Sequence, residues 1–196
     1  TARQLQAVLG QTFIDVWGPV TVPAEDKRAE MTRLKVMLTE AVLAKAPLPA
    51  VELHRIAIAV AEAISSLHRQ RVIHLDLKPE NIFLNDRGAV LIDFGLARHL
   101  DLPDLLAEES SVPMGTPAYI SPEQVLGHRD HAGSDIFSLG CILYELATGE
   151  KPFGEPSGKS GMQRRLYHAP RPPRAVNPAL PRWMQQYHGH YCNYTL

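Results

Sequence analysis

The stretch from Asp135 to Thr148 is apolar on nearly every face of a helix and is stopped by Gly149. A helix without a continuous polar stripe has no side to give to water, so other elements must enclose it. It is also far shorter than the roughly 20 apolar residues a membrane span needs. The chain must therefore build a core around this helix, and its 196 residues are enough for one substantial domain.

A second helix follows Pro47 and Pro49 and runs to about Gln70. In it Leu53, Ile56, Val60, Ile64 and Leu67 recur at steps of three and four, which puts them on one stripe. Beyond it lie the apolar pair Val72-Ile73 and a polar loop from His74 to Asn81. Ile82-Phe83-Leu84 and Val90-Leu91-Ile92 then read as two short strands, joined as a tight hairpin by the turn residues Asn85-Asp86-Arg87-Gly88. Asp93 to about Ser121 reads as one long irregular stretch, which inside a compact domain usually signals function. After Lys151-Pro152-Phe153 the chain turns rich in Gly, Pro and Arg, and the tail from His188 has no period. Residues 1–46 offer only short candidates: a helix over Gln4 to Leu9, a strand over Thr12 to Trp17, and a charged helix over Ala24 to Leu38.

The formal net charge of -1 gives no bulk pull toward nucleic acid or an acidic membrane. Cys141 and Cys192 lie far apart and form no CxxC pair, which argues against a disulfide scaffold and for a reducing compartment. With no signal peptide and no membrane segment in these residues, a cytoplasmic location is the expectation. His188, His190 and Cys192 are too cramped and lack a fourth ligand for a metal site.

The polar loop reads His74-Leu75-Asp76-Leu77-Lys78-Pro79-Glu80-Asn81, and Asp93-Phe94-Gly95 begins twelve residues after Asn81. Further on come Gly115-Thr116-Pro117-Ala118-Tyr119-Ile120-Ser121-Pro122-Glu123 and Ser134-Asp135-Ile136-Phe137-Ser138-Leu139-Gly140. In order and spacing these four segments resemble the catalytic loop, the metal-binding DFG motif, the end of the activation segment and the start of the buried helix of eukaryotic-type (Hanks-type) serine/threonine protein kinases, in their bacterial form. The likeness covers roughly residues 50 to 155. It implies an α+β, protein-kinase-like fold: a mostly helical large lobe over 47–182, a short hairpin at the active site, a reduced small lobe or hinge over 1–46, and an atypical tail over 183–196.

The resemblance also implies roles. Asp76 would orient the substrate hydroxyl and accept its proton, and Lys78 would reach the transferring phosphate of ATP, a Lys that in the family marks Ser/Thr specificity. Asn81 and Asp93 would hold Mg²⁺, with Mn²⁺ as an alternative, because both offer hard oxygen ligands. The hairpin fixes their separation, since one precedes its first strand and the other follows its second. Glu80 would join the nucleotide-binding set and Phe83 would lie beneath the adenine. Thr116 would bond near Asp76 and Lys78, and Asp135 would accept backbone hydrogen bonds from the catalytic loop, although an isolated Asp at a helix start reads first as an N-cap. His74 and Phe94 would stack in a hydrophobic spine, and Gly95 would let the chain reorient after Asp93. Glu123 would be buried in an ion pair with an Arg near the last helices. The partner implied is a protein with Ser or Thr acceptors.

Four features depart from that pattern. Leu75 stands where the family has Arg, so a phosphate on Ser110 or Ser111 has no charged partner at that position. Ser121 stands where Ala is usual. No GxGxxG occurs, Lys27, Lys35 and Lys45 lie too close to Asp76 to serve as the family's strand Lys, and Arg33 to Glu40 reads as the last small-lobe strand and hinge. No Arg after residue 182 answers Glu123. Retention of Asp76, Lys78, Asn81 and Asp93 favours a protein kinase, while the missing small-lobe motifs favour a catalytically impaired kinase fragment or pseudokinase acting as a binding module. A small-molecule phosphotransferase would not be expected to carry the Gly-Thr-Pro and Ser-Pro-Glu segment.

Overall fold

The computed structural model describes residues 45–85, 88–109 and 112–182. The small-lobe expectations for residues 1–44, the tail from residue 183, Asp86 and Arg87 of the turn, and Ser110 and Ser111 lie outside the described residues.

Helix α1, Ala50–Arg69, starts after Pro49, whose fixed φ of -60° suits a helix entry. The apolar stripe is its buried face: Leu53, Ile56, Val60, Ile64 and Leu67 are each at most 5% exposed. Side chains of this size stabilise the fold by about 1.5–3 kcal/mol each when fully buried. The stripe packs against the long helix Gly133–Thr148 and against the hairpin.

After α1 the strand β1, Val72–Ile73, leads into the polar loop and a 3₁₀ turn at Pro79–Asn81. Strands β2, Ile82–Asn85, and β3, Gly88–Leu91, form the expected antiparallel hairpin, with Ile82 opposite Leu91 and Phe83 opposite Val90. The register continues one step outward, where the Ile92 amide donates to the Asn81 carbonyl at 3.0 Å. That bond sets Asn81 beside the residue that precedes Asp93.

The stretch after Asp93 is not as irregular as its sequence implies. It holds a 3₁₀ turn at Phe94–Leu96, a strand β4 at Arg98–His99 and a short helix α2 at Leu105–Glu109. β4 pairs antiparallel with β1, Val72 opposite His99 and Ile73 opposite Arg98. Two-residue strands carry no readable alternation, so the pairing exists only because the tertiary fold brings these segments side by side.

Helix α3, Pro122–Val125, is one turn long and is closed by a capping box. Ser121 Oγ accepts from the Gln124 amide at 3.2 Å, and Gln124 Oε1 accepts from the Ser121 amide at 3.1 Å. Ser121 Oγ also donates to Ser134 Oγ at 2.8 Å, which gives the serine at this position a physical reason. Helix α4, Gly133–Thr148, is the enclosed helix, with Phe137, Cys141, Ile142 and Leu146 all buried. Gly149 ends it at φ 78°, a left-handed conformation that suits a residue without Cβ. Short helices α5, Gly158–Gln163, and α6, Pro173–Val176, complete the described chain. Among the described residues no helix is long and apolar enough to cross a membrane.

Candidate active site

Asp76 lies at the centre of the polar loop, with a side chain 12% exposed. Its Oδ1 accepts from the Thr116 amide at 2.9 Å and from Thr116 Oγ1 at 2.6 Å. Its Oδ2 pairs with Lys78 Nζ at 3.1 Å and accepts a longer bond, 3.4 Å, from Asn81 Nδ2. Lys78 Nζ donates in turn to Thr116 Oγ1 at 3.2 Å. The four side chains thus form one charged, hydrogen-bonded group. A carboxylate held this way is fixed in direction while staying reachable, which is what a group receiving a hydroxyl proton needs.

Asp135 supports the loop from below. It is fully buried, in the first turn of α4, and the N-cap position belongs to Ala132. The isolated N-cap reading is therefore replaced by the role the resemblance implied: Asp135 Oδ2 accepts from the His74 amide and Oδ1 from the Leu75 amide, both at 2.9 Å. Leu75 has φ 63°, a left-handed geometry that costs a non-glycine residue about 1–2 kcal/mol. A buried carboxylate on its amide is what holds it there. Asp135 Oδ2 is also 2.7 Å from His68 Nε2, a contact from the last turn of α1 that the sequence reading did not anticipate.

His74 joins the loop to the hairpin. Its buried ring places Nε2 at 2.9 Å from the Ile92 carbonyl and Nδ1 at 3.3 Å from the Asp76 amide. One tautomer, protonated on Nε2, satisfies both contacts. Its ring centroid lies 5.0 Å from that of Phe94, so the expected pair is in contact.

Asn81 is fully buried, and its Nδ2 donates to the Asp76 carbonyl at 2.9 Å. Its Oδ1 is buried without a hydrogen-bond partner. An orphaned amide oxygen normally costs free energy, and its natural complement is a hard cation. Asp93, exposed and within a short reach of the Asn81 backbone through Ile92, adds a carboxylate. These two residues therefore fit a magnesium-type ion. The left-handed residue here is Asp93 itself, φ 62°, and not Gly95. A Cβ at Gly95 would stand 3.4 Å from Asp93 Oδ1, an ordinary contact. Phe83 is buried in β2.

Glu80 has one buried carboxylate oxygen without a partner, and its charge acts on Tyr119, Glu145 and Lys151. Tyr119 donates to Glu145 Oε2 at 2.5 Å, and Lys151 Nζ sits 5.9 Å above the Tyr119 ring. Burial, ahead of the Glu145 hydrogen bond, pushes the Tyr119 hydroxyl far up, and burial raises the Glu145 carboxyl. The hydrogen bond to Glu155 raises Lys151. Glu123 also keeps a buried oxygen, Oε2, without a hydrogen-bond partner among the described residues.

Two further residues shape the site and carry weak sequence signals. Gln124 Nε2 donates to the Leu75 carbonyl at 2.7 Å and to the Met114 carbonyl at 2.9 Å, linking α3 to the catalytic loop. The Ser-x-x-Gln spacing of the capping box would have located it. Arg165, 5% exposed, donates to the carbonyls of Ile120 and Pro117, and its guanidinium lies 5.0 Å from the Phe153 ring centroid. Nothing in the Gly- and Pro-rich sequence around it marks this arginine.

The sequence profile described as protein kinase domain matches residues 28–186. Among curated proteins, the chain is 37% identical over 129 residues to the probable serine/threonine-protein kinase PknB of Bifidobacterium longum, covering 65% of this chain and 19% of that protein. It is 38% identical over 120 residues to the serine/threonine-protein kinase PknB of Mycobacterium tuberculosis, covering 61% of this chain and 19% of the relative. To the DNA damage-responsive serine/threonine-protein kinase RqkA of Deinococcus radiodurans it is 36% identical over 146 residues, covering 71% and 21%. The chain spans about a fifth of the length of these relatives. The matched region encloses α1 to α6 and every side chain of the Asp76 group, and the chain belongs to the protein kinase family.

Proposed function

We propose that this chain carries the catalytic large lobe of a serine/threonine protein kinase, which moves the γ-phosphate of ATP to a Ser or Thr hydroxyl of a protein substrate. One observation supports it most: Asp76 is clamped by Thr116, Lys78 and Asn81, while Asn81 Oδ1 stays buried without a hydrogen-bond partner.

In this reading Asp76 orients the acceptor hydroxyl and takes its proton as the new O–P bond forms and the bond from the γ-phosphorus to the β–γ bridging oxygen breaks, releasing ADP. Lys78, already paired with Asp76, offers its ammonium to the moving phosphoryl group, where charge is greatest. Thr116 keeps both in place from the substrate side. Asn81 and Asp93 would hold a magnesium ion, which supplies neutralisation of the phosphate charge when bound. Little covalent chemistry is required of the protein, so positioning and charge account for the rate. Glu80 and Phe83 complete the nucleotide side.

The test is transfer of labelled γ-phosphate from Mg·ATP to a generic protein substrate. Asp93→Ala and Asp76→Asn should each lower turnover by on the order of a thousandfold, with circular dichroism unchanged. Equal activity in wild type and Asp93→Ala would remove the proposal.

A further inference from the structure

Behind the Asp93 turn lies an ion cluster that phosphoryl transfer does not use. Asp104, which precedes α2, has a side chain 11% exposed and sits between two guanidinium groups. Arg129, 4% exposed, donates from Nε to Asp104 Oδ2 at 2.9 Å, and Arg98 reaches the same oxygen at 3.4 Å. The other prongs of Arg129 point elsewhere. Nη2 donates to the Leu96 carbonyl at 3.0 Å, and Nη1 lies 3.9 Å from the Met114 sulfur. One side chain, rooted between α3 and α4, therefore grips the chain at residues 96, 104 and 114.

Asp104 has a second task. Its Oδ1 accepts from the Ala107 amide at 3.3 Å, so it also starts α2. A buried guanidinium stripped of its carboxylate is strongly unfavourable, and the planar fork of arginine is what allows three directions to be served at once. Leu75, apolar and 2% exposed, brings no charge to this segment.

We propose that Arg129 is a positioning residue. Through the Asp104 carboxylate and the Leu96 carbonyl it holds the segment behind Asp93 in one conformation, so that a carboxylate built into the sequence orders the segment and no phosphate is needed. The catalytic consequence rests on the kinase reading above; the ordering does not.

Hydrogen exchange on the full chain after phosphatase treatment reads the segment directly. Amides 96–107 should be protected in the wild type and exchange at least about tenfold faster in Arg129→Ala and in Asp104→Asn, with α1 and α4 unchanged. Arg129→Lys, which keeps the charge without the fork, should recover part of the protection, and Arg129→Gln none. In the transfer assay, Arg129→Ala should lower kcat about tenfold while KM for ATP stays within about twofold. Wild-type exchange of residues 96–107 in Arg129→Ala would overturn the inference. So would protection that vanishes on phosphatase treatment, acceleration spread equally over α1 and α4, or an unchanged kcat in an active enzyme. A wild type that transfers no phosphate but shows the localised loss would overturn the kinase reading and support this one.

Discussion

Glu145 shows how one buried side chain can tie stability to pH. Burial raises its carboxyl, while the Tyr119 hydroxyl donates to it at 2.5 Å. Because the folded chain binds this proton more tightly than the unfolded chain, Glu145 favours folding below the unfolded value near 4.5 and loses that contribution as pH rises through its folded value. Glu145→Gln keeps an acceptor for Tyr119 and removes the charge. Its melting temperature should exceed that of the wild type at neutral pH, and the gap should close as pH falls below about 4. A thermal denaturation series across pH 3 to 8 checks the sign. Residue-level chemistry was readable where a motif of the family resemblance named the residue. Asp76, Lys78, Asn81 and Thr116 meet in one group, as the family resemblance implied for Thr116 beside Asp76 and Lys78. His68, Arg129 and Arg165 were not readable, because each stands outside those motifs and finds its partner only through the tertiary fold.

At the level of elements, periodicity carried the long helices. The stripe of α1 is its buried face, and the all-round apolarity of α4 matches its enclosure. Gly149 ends α4 at φ 78°, and a Cβ there would meet nothing nearer than 3.9 Å. Space is therefore available, and the strain of Gly149→Ala comes from the backbone alone. It should cost about 1–2 kcal/mol in urea denaturation without altering transfer. The segment after Asp93 was legible only as a long connection. Its pieces, β4 and α2, are too short to show a period, and they form because β1 and Asp104 offer them partners.

For the molecule as a whole, Asp135 joins core and site. Rooted in α4, it takes the amides of His74 and Leu75 and touches His68 of α1, so two helices and the loop after β1 share one carboxylate. Asp135→Asn would set an amide N–H₂ against a donor. We expect a loss of about 3 kcal/mol of stability and a fall in transfer that persists at temperatures where the variant is fully folded. Chemical denaturation and assays at low temperature separate the two effects. Gln124 makes a comparable link from the other direction. The side chain that closes the first turn of α3 also holds the backbone oxygens of Leu75 and Met114. Melting that single turn releases the backbone at Leu75 and at Met114 together, so a protease that gains one should cut the other in the same step.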